Sequence, residues 1–208
     1  MALSGPEIPC IPKKRGEIRL IIGPMFAEKS TSLILAINRL RYAKKRVFVI
    51  KPKKDDRYSQ DLIMSHMNHD GYQVSIPCHS VDDLYSFPFG DLINDYDVIA
   101  IDEGNFFGES IVLFAENLAN NGKIVIITAL NGDINQRHFG DFHGLYAKAD
   151  HIEFLKSVCF DCGEDAPFTY SHIKRKEGEI VVGGEDKYVS LCRECRNERE
   201  WKRIFFHN

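Results

Sequence analysis

Four short runs of apolar residues stand out along the chain: Ile18–Ile22, Val47–Ile50, Val98–Ile101 and Ile124–Ile127. Each is rich in Ile and Val and nearly continuous, the pattern of parallel strands covered on both faces. Between the first two, Leu33, Ile37 and Leu40 recur on one helical stripe with Arg39, Arg41 and Lys44 off it. That spacing predicts a helix with one buried face. Ile111–Asn120 predicts another helix between the third and fourth runs, ended by Asn121-Gly122. Strand–helix alternation of this kind predicts an α/β fold, a mostly parallel sheet sandwiched by helices. From Asp55 to Pro88 the chain is polar with scattered Gly, Pro and His, and no period assigns it.

The pattern changes after about Ala149. From Val158 onward there are short runs, paired cysteines, glycines and charges, with too little apolar material for a large core. A small module of that kind needs a staple. The expected division is a flexible tail over 1–16, an α/β domain over 17–150, a small metal-binding module over 151–196 and a C-terminal tail over 197–208. Pro6, Pro9 and Pro12 punctuate the first segment, which has no apolar core of a secretory signal.

Composition narrows the function classes. Apolar residues make up 44% of 208, enough for a folded core. Lys plus Arg is 27 against 30 Asp plus Glu, a net −3 that argues against a dedicated DNA-binding protein. The triplets Lys13-Lys14-Arg15 and Lys174-Arg175-Lys176 are small and read as solvated surface. No apolar run approaches the roughly 20 residues of a membrane span. Of six cysteines, Cys10 and Cys78 stand alone and four form two close pairs, unlike a secreted disulfide framework. A reduced, cytosolic chain is the expectation.

Candidate chemistry begins directly after the first run, at Gly23-Pro-Met-Phe-Ala-Glu28-Lys29-Ser30-Thr31. In the pattern G-x-x-x-x-G-K-[ST], Gly23, Lys29 and Ser30 sit in register, with a strand before and a helix after. Such a loop cradles phosphates with backbone N–H groups, pairs the lysine with terminal phosphates and offers a hydroxyl to Mg²⁺. Its second glycine, however, is Glu28. If that position needs positive φ, a non-glycine residue is strained by about 1–2 kcal/mol. A carboxylate roughly 6 Å from a phosphate charge adds about 3 kcal/mol of repulsion at an effective dielectric near 20, less if it turns to solvent. The partner motif is the third strand, ending in Asp102-Glu103. An acid at that strand end places Asp102 near Mg²⁺, and Glu103 is placed to accept a proton from an attacking hydroxyl or water.

Cys159-x-x-Cys162 and Cys192-x-x-Cys195 are separated by 29 residues. Four thiolates suit a closed, tetrahedral, structural Zn²⁺ site, with redox chemistry of either pair as the alternative. The metal would hold the intervening loop at both ends, so that the loop can close over a substrate.

Gly23-Pro-Met-Phe, Asp55-Asp-Arg-Tyr-Ser59, Ile101-Asp-Glu-Gly-Asn-Phe-Phe107, Ala129-Leu-Asn-Gly132, Phe139-Gly140, the four cysteines and Val182-Gly-Gly-Glu-Asp-Lys-Tyr188 together resemble the type II thymidine kinase family. The resemblance covers residues 17 to 196 in consistent order. It implies a P-loop NTPase domain of the RecA-like type with a small zinc module carrying a lasso loop. It also implies ATP-dependent phosphorylation of the 5′-hydroxyl of thymidine, usually of deoxyuridine too, by a cytosolic homotetramer. Thymidine triphosphate is then a candidate feedback inhibitor, with no nucleic acid or membrane as partner.

Carried over residue by residue, the resemblance assigns Gly23, Lys29, Ser30 and Thr31 to the donor phosphates, and Ser30, Asp102 and Asp55 to the Mg²⁺ side. Glu103 would be the general base, and Arg57 would offset developing charge. Met25, Phe106, Leu130, Phe139 and Tyr188 would line the thymine and sugar pocket. Thr169, Val181 and Gly183 would belong to the closing lasso, whose main chain reads the base edge. Asn105 and Asn131 stand where related sequences often carry other polar residues. Glu28 leaves two readings of the activity, a working but weakened kinase and a non-catalytic homologue that binds nucleoside and acts as an oligomer partner. A zinc-bearing P-loop ATPase acting on nucleic acid is disfavoured by the acidic balance.

Overall fold

The computed structural model describes residues 15–55, 61–65, 73–173 and 183–206. β1 (Glu17–Gly23) runs through a short loop into α1 (Lys29–Tyr42), and β2 (Val47–Pro52) follows. The stretch without a period holds an antiparallel ribbon, β3 (Leu62–Met64) with β4 (Ser75–Pro77), and then β5 (His79–Val81). α2 (Phe89–Asp95), β6 (Val98–Ile101), α3 (Ser110–Asn120), β7 (Ile124–Leu130) and β8 (His151–Phe154) complete the main domain.

Six strands form one sheet in the order β5-β2-β6-β7-β1-β8, and every pairing in it is parallel. The four apolar runs are its four central strands. Successive residues face opposite sides, as strand geometry requires. Leu20, Ile22, Ile99, Ile101, Val125 and Ile127 pack with Ile111, Phe114 and Leu118 of α3 on one face. Ile21, Val98, Ala100 and Ile126 pack with Leu33, Ile34 and Ile37 of α1 on the other. Gly122 takes φ 78 just after α3, where its N–H bonds the Ala119 carbonyl at 2.8 Å, a left-handed helix stop that glycine permits at little cost.

The edge strands were not predicted. β8 is exposed along its whole length, and β5 is only three residues long. Neither carries the continuous apolar run of a covered strand.

The C-terminal module contains β9 (Ser157–Val158) paired with β10 (Asp165–Ala166), and β11 (Phe168–Ser171) paired with β12 (Tyr188–Leu191). Its buried cluster is Cys159, Ala166, Tyr170, Val189 and Leu191, a core too small to stand alone. α4 (Arg193–Phe206) follows, so the boundary placed at 196–197 falls inside a helix. No helix among the described residues is long and apolar enough to cross a membrane.

Candidate active site

The loop after β1 is shaped by crowding and by unusual backbone. A side chain at Gly23 would put its Cβ 2.6 Å from the Leu155 carbonyl oxygen, so a glycine is required there for space. Phe26 and Glu28 both take left-handed angles, with φ 62 and φ 56. Glu28 therefore occupies the strained conformation that its replacement of glycine raised as a possibility. Its carbonyl accepts the Ser32 N–H at 2.9 Å, opening α1, while its exposed carboxylate accepts the Thr31 hydroxyl. Lys29 is buried, and its ammonium donates to the Pro24 carbonyl at 2.6 Å, across the loop.

β7 lies between β1 and β6 in the sheet, and this placement assembles the acidic centre. Ser30, in the first turn of α1, donates its hydroxyl to Asp102 at 3.0 and 3.2 Å. Thr128 of β7 bonds the Asp102 carboxylate with its hydroxyl and accepts the Glu103 N–H at 3.0 Å. Glu103 is buried with φ 50, the residue at which the chain turns out of β6. Burial pushes the Asp102 carboxyl up to about 6, with the charges of Glu103 and Asp55 adding and the Thr128 and Ser30 hydrogen bonds opposing.

Asp55 is buried nearby, beyond the end of β2. Lys51, 2% exposed, donates to its carbonyl at 3.1 Å. Among the described residues, three buried carboxylates (Asp55, Asp102, Glu103) thus accompany two buried lysines (Lys29, Lys51). Low dielectric makes that negative excess costly unless a cation joins it. The donor set of hydroxyl and carboxylate oxygens is hard, as Mg²⁺ prefers. Arg57 lies outside the described residues.

A second group of candidates gathers beside the loop. Thr169 of β11 and Ser190 of β12 are direct cross-strand partners. The Thr169 hydroxyl oxygen accepts the Met25 N–H at 3.0 Å, and the Ser190 hydroxyl donates to the Met25 carbonyl at 2.6 Å. The ribbon thereby grips both sides of Met25. Asn131 strengthens the join: its N–H reaches the Gly23 carbonyl at 3.2 Å, and its side-chain amide donates to the Pro167 carbonyl at 3.0 Å.

Phe106 and Phe139 meet edge to face at 5.6 Å. Leu130 donates its N–H to the Asn105 side-chain oxygen at 3.0 Å, which leaves Asn105 Nδ2 buried without a hydrogen-bond partner among the described residues. Tyr188 is buried at the start of β12, and Gly183 lies shortly before it, packed against the Lys187 side chain. Val181 lies outside the described residues, as do the histidines of the 66–72 segment.

The four cysteines converge. Their sulfurs all lie within 4.8 Å of one another, and Cys162 and Cys192 are 3.8 Å apart. A tetrahedral Zn²⁺ with Zn–S near 2.3 Å needs sulfurs about 3.8 Å apart. Burial raises the Cys159 thiol, but N–H donors from Cys192, Cys162 and Asp161 outweigh it and bring the group down to about 6. A sulfur so held is ready to bind as thiolate. The set fits a closed structural zinc site.

Lys51, Thr128 and Ser190 carry this geometry but belong to no sequence motif noted above. For Thr128 a signal existed, a single hydroxyl inside the apolar run Ile124–Leu130. Nothing local marked Ser190, because its role depends on pairing with Thr169.

The family model described as thymidine kinase matches residues 16–196. The chain is 40% identical over 185 residues to thymidine kinase 1 of Dictyostelium discoideum, covering 88% of this chain and 78% of that one. It is 40% identical over 180 residues to the Sheeppox virus thymidine kinase, covering 86% and 96%. Against the cytosolic thymidine kinase of Bos taurus, identity is 40% over 186 residues, covering 88% and 73%. With a family match running from the start of the sheet through all four cysteines, this chain belongs to the thymidine kinase family.

Proposed function

We propose that the chain transfers the γ-phosphoryl group of ATP to the 5′-hydroxyl of thymidine, and of deoxyuridine, in nucleotide salvage. The observation that carries this reading is the meeting of Ser30, Asp102 and Glu103 at one end of the sheet, beside Lys29. Phosphoryl transfer asks the protein mainly for positioning and charge neutralisation. Lys29 and the backbone of the loop from Gly23 to Thr31 serve the donor phosphates. Ser30 and Asp102, with Asp55 beyond them, would hold Mg²⁺, which when bound neutralises charge on the phosphates. Glu103 accepts the proton of the 5′-hydroxyl, and Arg57 offsets charge at the transferred group. Lys51 holds the Asp55 backbone through its bond to the Asp55 carbonyl.

The nucleoside lies between Met25, Phe106, Leu130, Phe139 and Tyr188, with Thr169, Val181 and Gly183 on the closing side. Backbone readout of the base edge favours thymine, because the amino group of cytosine would leave buried polar groups mismatched. The unpaired Asn105 Nδ2 supports a polar ligand or water in this region. A homotetramer in the cytosol, inhibited by thymidine triphosphate, belongs to the same reading. The cytosolic part rests on relatives such as the bovine protein, named as cytosolic.

Glu28 weakens donor binding in this proposal. Its left-handed backbone and its carboxylate at the start of α1 support that, since the position is where a phosphate would gain from the helix N-terminus. The Thr31 hydroxyl is also engaged by Glu28 rather than left to a phosphate.

The test is thymidine-dependent ADP formation with Mg-ATP, comparing this chain with Glu28→Gly. Turnover in both, with a lower KM for ATP in the glycine variant, is expected. Activity only in the variant would make Glu28 by itself disabling. Two inactive proteins that still bind thymidine would establish the non-catalytic reading instead.

A further inference from the structure

β6 leaves the sheet at Asp102. Its last pairing with β7 is Ile101 opposite Ile127, and Glu103 then turns with φ 50 and ψ 43. The Asp102 N–H still reaches a neighbouring strand, bonding the Ile50 carbonyl of β2 at 2.9 Å. The Glu103 N–H instead donates to a side chain, Thr128 Oγ1, at 3.0 Å.

The proton inventory at that hydroxyl is fixed. A threonine hydroxyl has one proton and two acceptor lone pairs. The Glu103 N–H can only donate, so Thr128 accepts there, and its own proton goes to the Asp102 carboxylate oxygen that it contacts. Thr128 is 0% exposed, so bulk water does not compete for either bond. Its β-branched side chain is stiff about χ1, and β7 holds its backbone in register between β1 and β6. Just beyond, Gly104 is pressed so closely on β7 that an added Cβ would lie 2.6 Å from Ile127 Cγ2. The turn that presents Glu103 is therefore seated on β7 by two polar contacts, the Thr128 hydroxyl at Glu103 and the Leu130 N–H at Asn105 Oδ1.

We propose that Thr128 is a positioning residue for phosphoryl transfer, a single buried hydroxyl that fixes the Asp102 carboxylate and the Glu103 backbone relative to each other. This rests on the kinase reading, in which Asp102 faces Mg²⁺ and Glu103 faces the 5′-hydroxyl. Ser30 fixes Asp102 from the α1 side, and Thr128 fixes it from the β7 side. Of the two, Thr128 alone also reaches Glu103. Losing it removes the hydroxyl that ties the base's backbone directly to the metal-side carboxylate, and displacement of reacting groups by about 1 Å is enough to lower rates about 100-fold.

Thr128→Val keeps the shape and removes both bonds, whereas Thr128→Ser keeps the hydroxyl. The experiment compares them with the wild type in full-length, zinc-loaded protein, by steady-state kinetics and by residue-resolved amide exchange at Glu103. In T128V, kcat falls about 10- to 100-fold while both KM values stay within about threefold, and T128S recovers most of kcat. Exchange at the Glu103 amide quickens about tenfold or more in T128V and not in T128S. A T128V protein with wild-type kcat, or one that loses KM rather than kcat, overturns the proposal. If the wild type shows no thymidine-dependent turnover, the kinase reading fails on its own account. The exchange arm then decides the positioning claim, and equal protection of Glu103 in wild type and T128V overturns it.

Discussion

Glu28 combines a left-handed backbone with a carboxylate at the start of α1, which in the proposed reading lies beside the donor phosphates. The backbone part is separable from catalysis. Glu28→Gly relieves about 1–2 kcal/mol of strain but adds about 0.5–1 kcal/mol of unfolded-chain entropy. A net gain of between about 0 and 1.5 kcal/mol in unfolding free energy is expected, read from the urea midpoint without any ligand. A loss would mean that the Thr31 contact outweighs the strain. Cys78 is the opposite kind of residue, buried and held neutral. Burial pushes its thiol from 9.0 up to about 11, with Lys51 opposing and Asp102, Asp61 and Asp55 adding. At pH 8 roughly one molecule in a thousand carries the thiolate. Peptide-resolved alkylation of the native protein should leave Cys78 unmodified. Because the folded state keeps this proton longer than the unfolded chain, the group's contribution to stability is lost as pH rises from about 9 to about 11.

At the scale of elements, the site is made of strand ends and the turns that leave them. The loop carrying Phe139 is set against the Gly104–Phe107 turn through Gly140, whose φ is +73 and where an added Cβ would sit 2.1 Å from the Asn105 carbonyl oxygen. Both faults act together in Gly140→Ala, so a loss of about 2 kcal/mol or more in stability is expected. A raised KM for thymidine should accompany it, since the turn and the loop carry Phe106 and Phe139. Wild-type stability in that variant would show that the loop relaxes freely. The β11–β12 ribbon is an element of the same kind. Its cross-strand hydroxyls on Met25 link the four-cysteine module to the loop after β1, so that ordering the ribbon orders one wall of the proposed nucleoside pocket.

The whole molecule couples a large parallel-sheet core to a module whose own core is five residues. Zinc on the four cysteines would supply what that small core cannot. Purified protein should contain a single zinc ion per chain by elemental analysis. Chelation should abolish amide protection in β11, β12 and α4 while β6 and β7 stay protected, and thymidine binding should be lost with the ribbon. Persistence of protection after zinc removal would show that the ribbon stands without the metal.

What the sequence determined by itself was what depends on local pattern. Covered strands need unbroken apolar runs, and all four central strands were visible for that reason. The phosphate loop, the acids ending β6 and the paired cysteines were legible because each sits at fixed spacing within a few residues. The edges β5 and β8 left no such signal, since an edge strand needs no apolar residues on both faces. Strand order was likewise silent, yet it decided the chemistry. Placing β7 between β1 and β6 brought Thr128 onto Asp102 and Glu103, and pairing β11 with β12 brought Ser190 opposite Thr169 on Met25. Lys51 became part of the site only when β2 ended beside Asp55. Hydrogen bonds between residues 25 and 165 positions apart have no signature in a one-dimensional pattern. They exist because an unpaired polar group in a packed core is costly, so most find a partner wherever the fold delivers one.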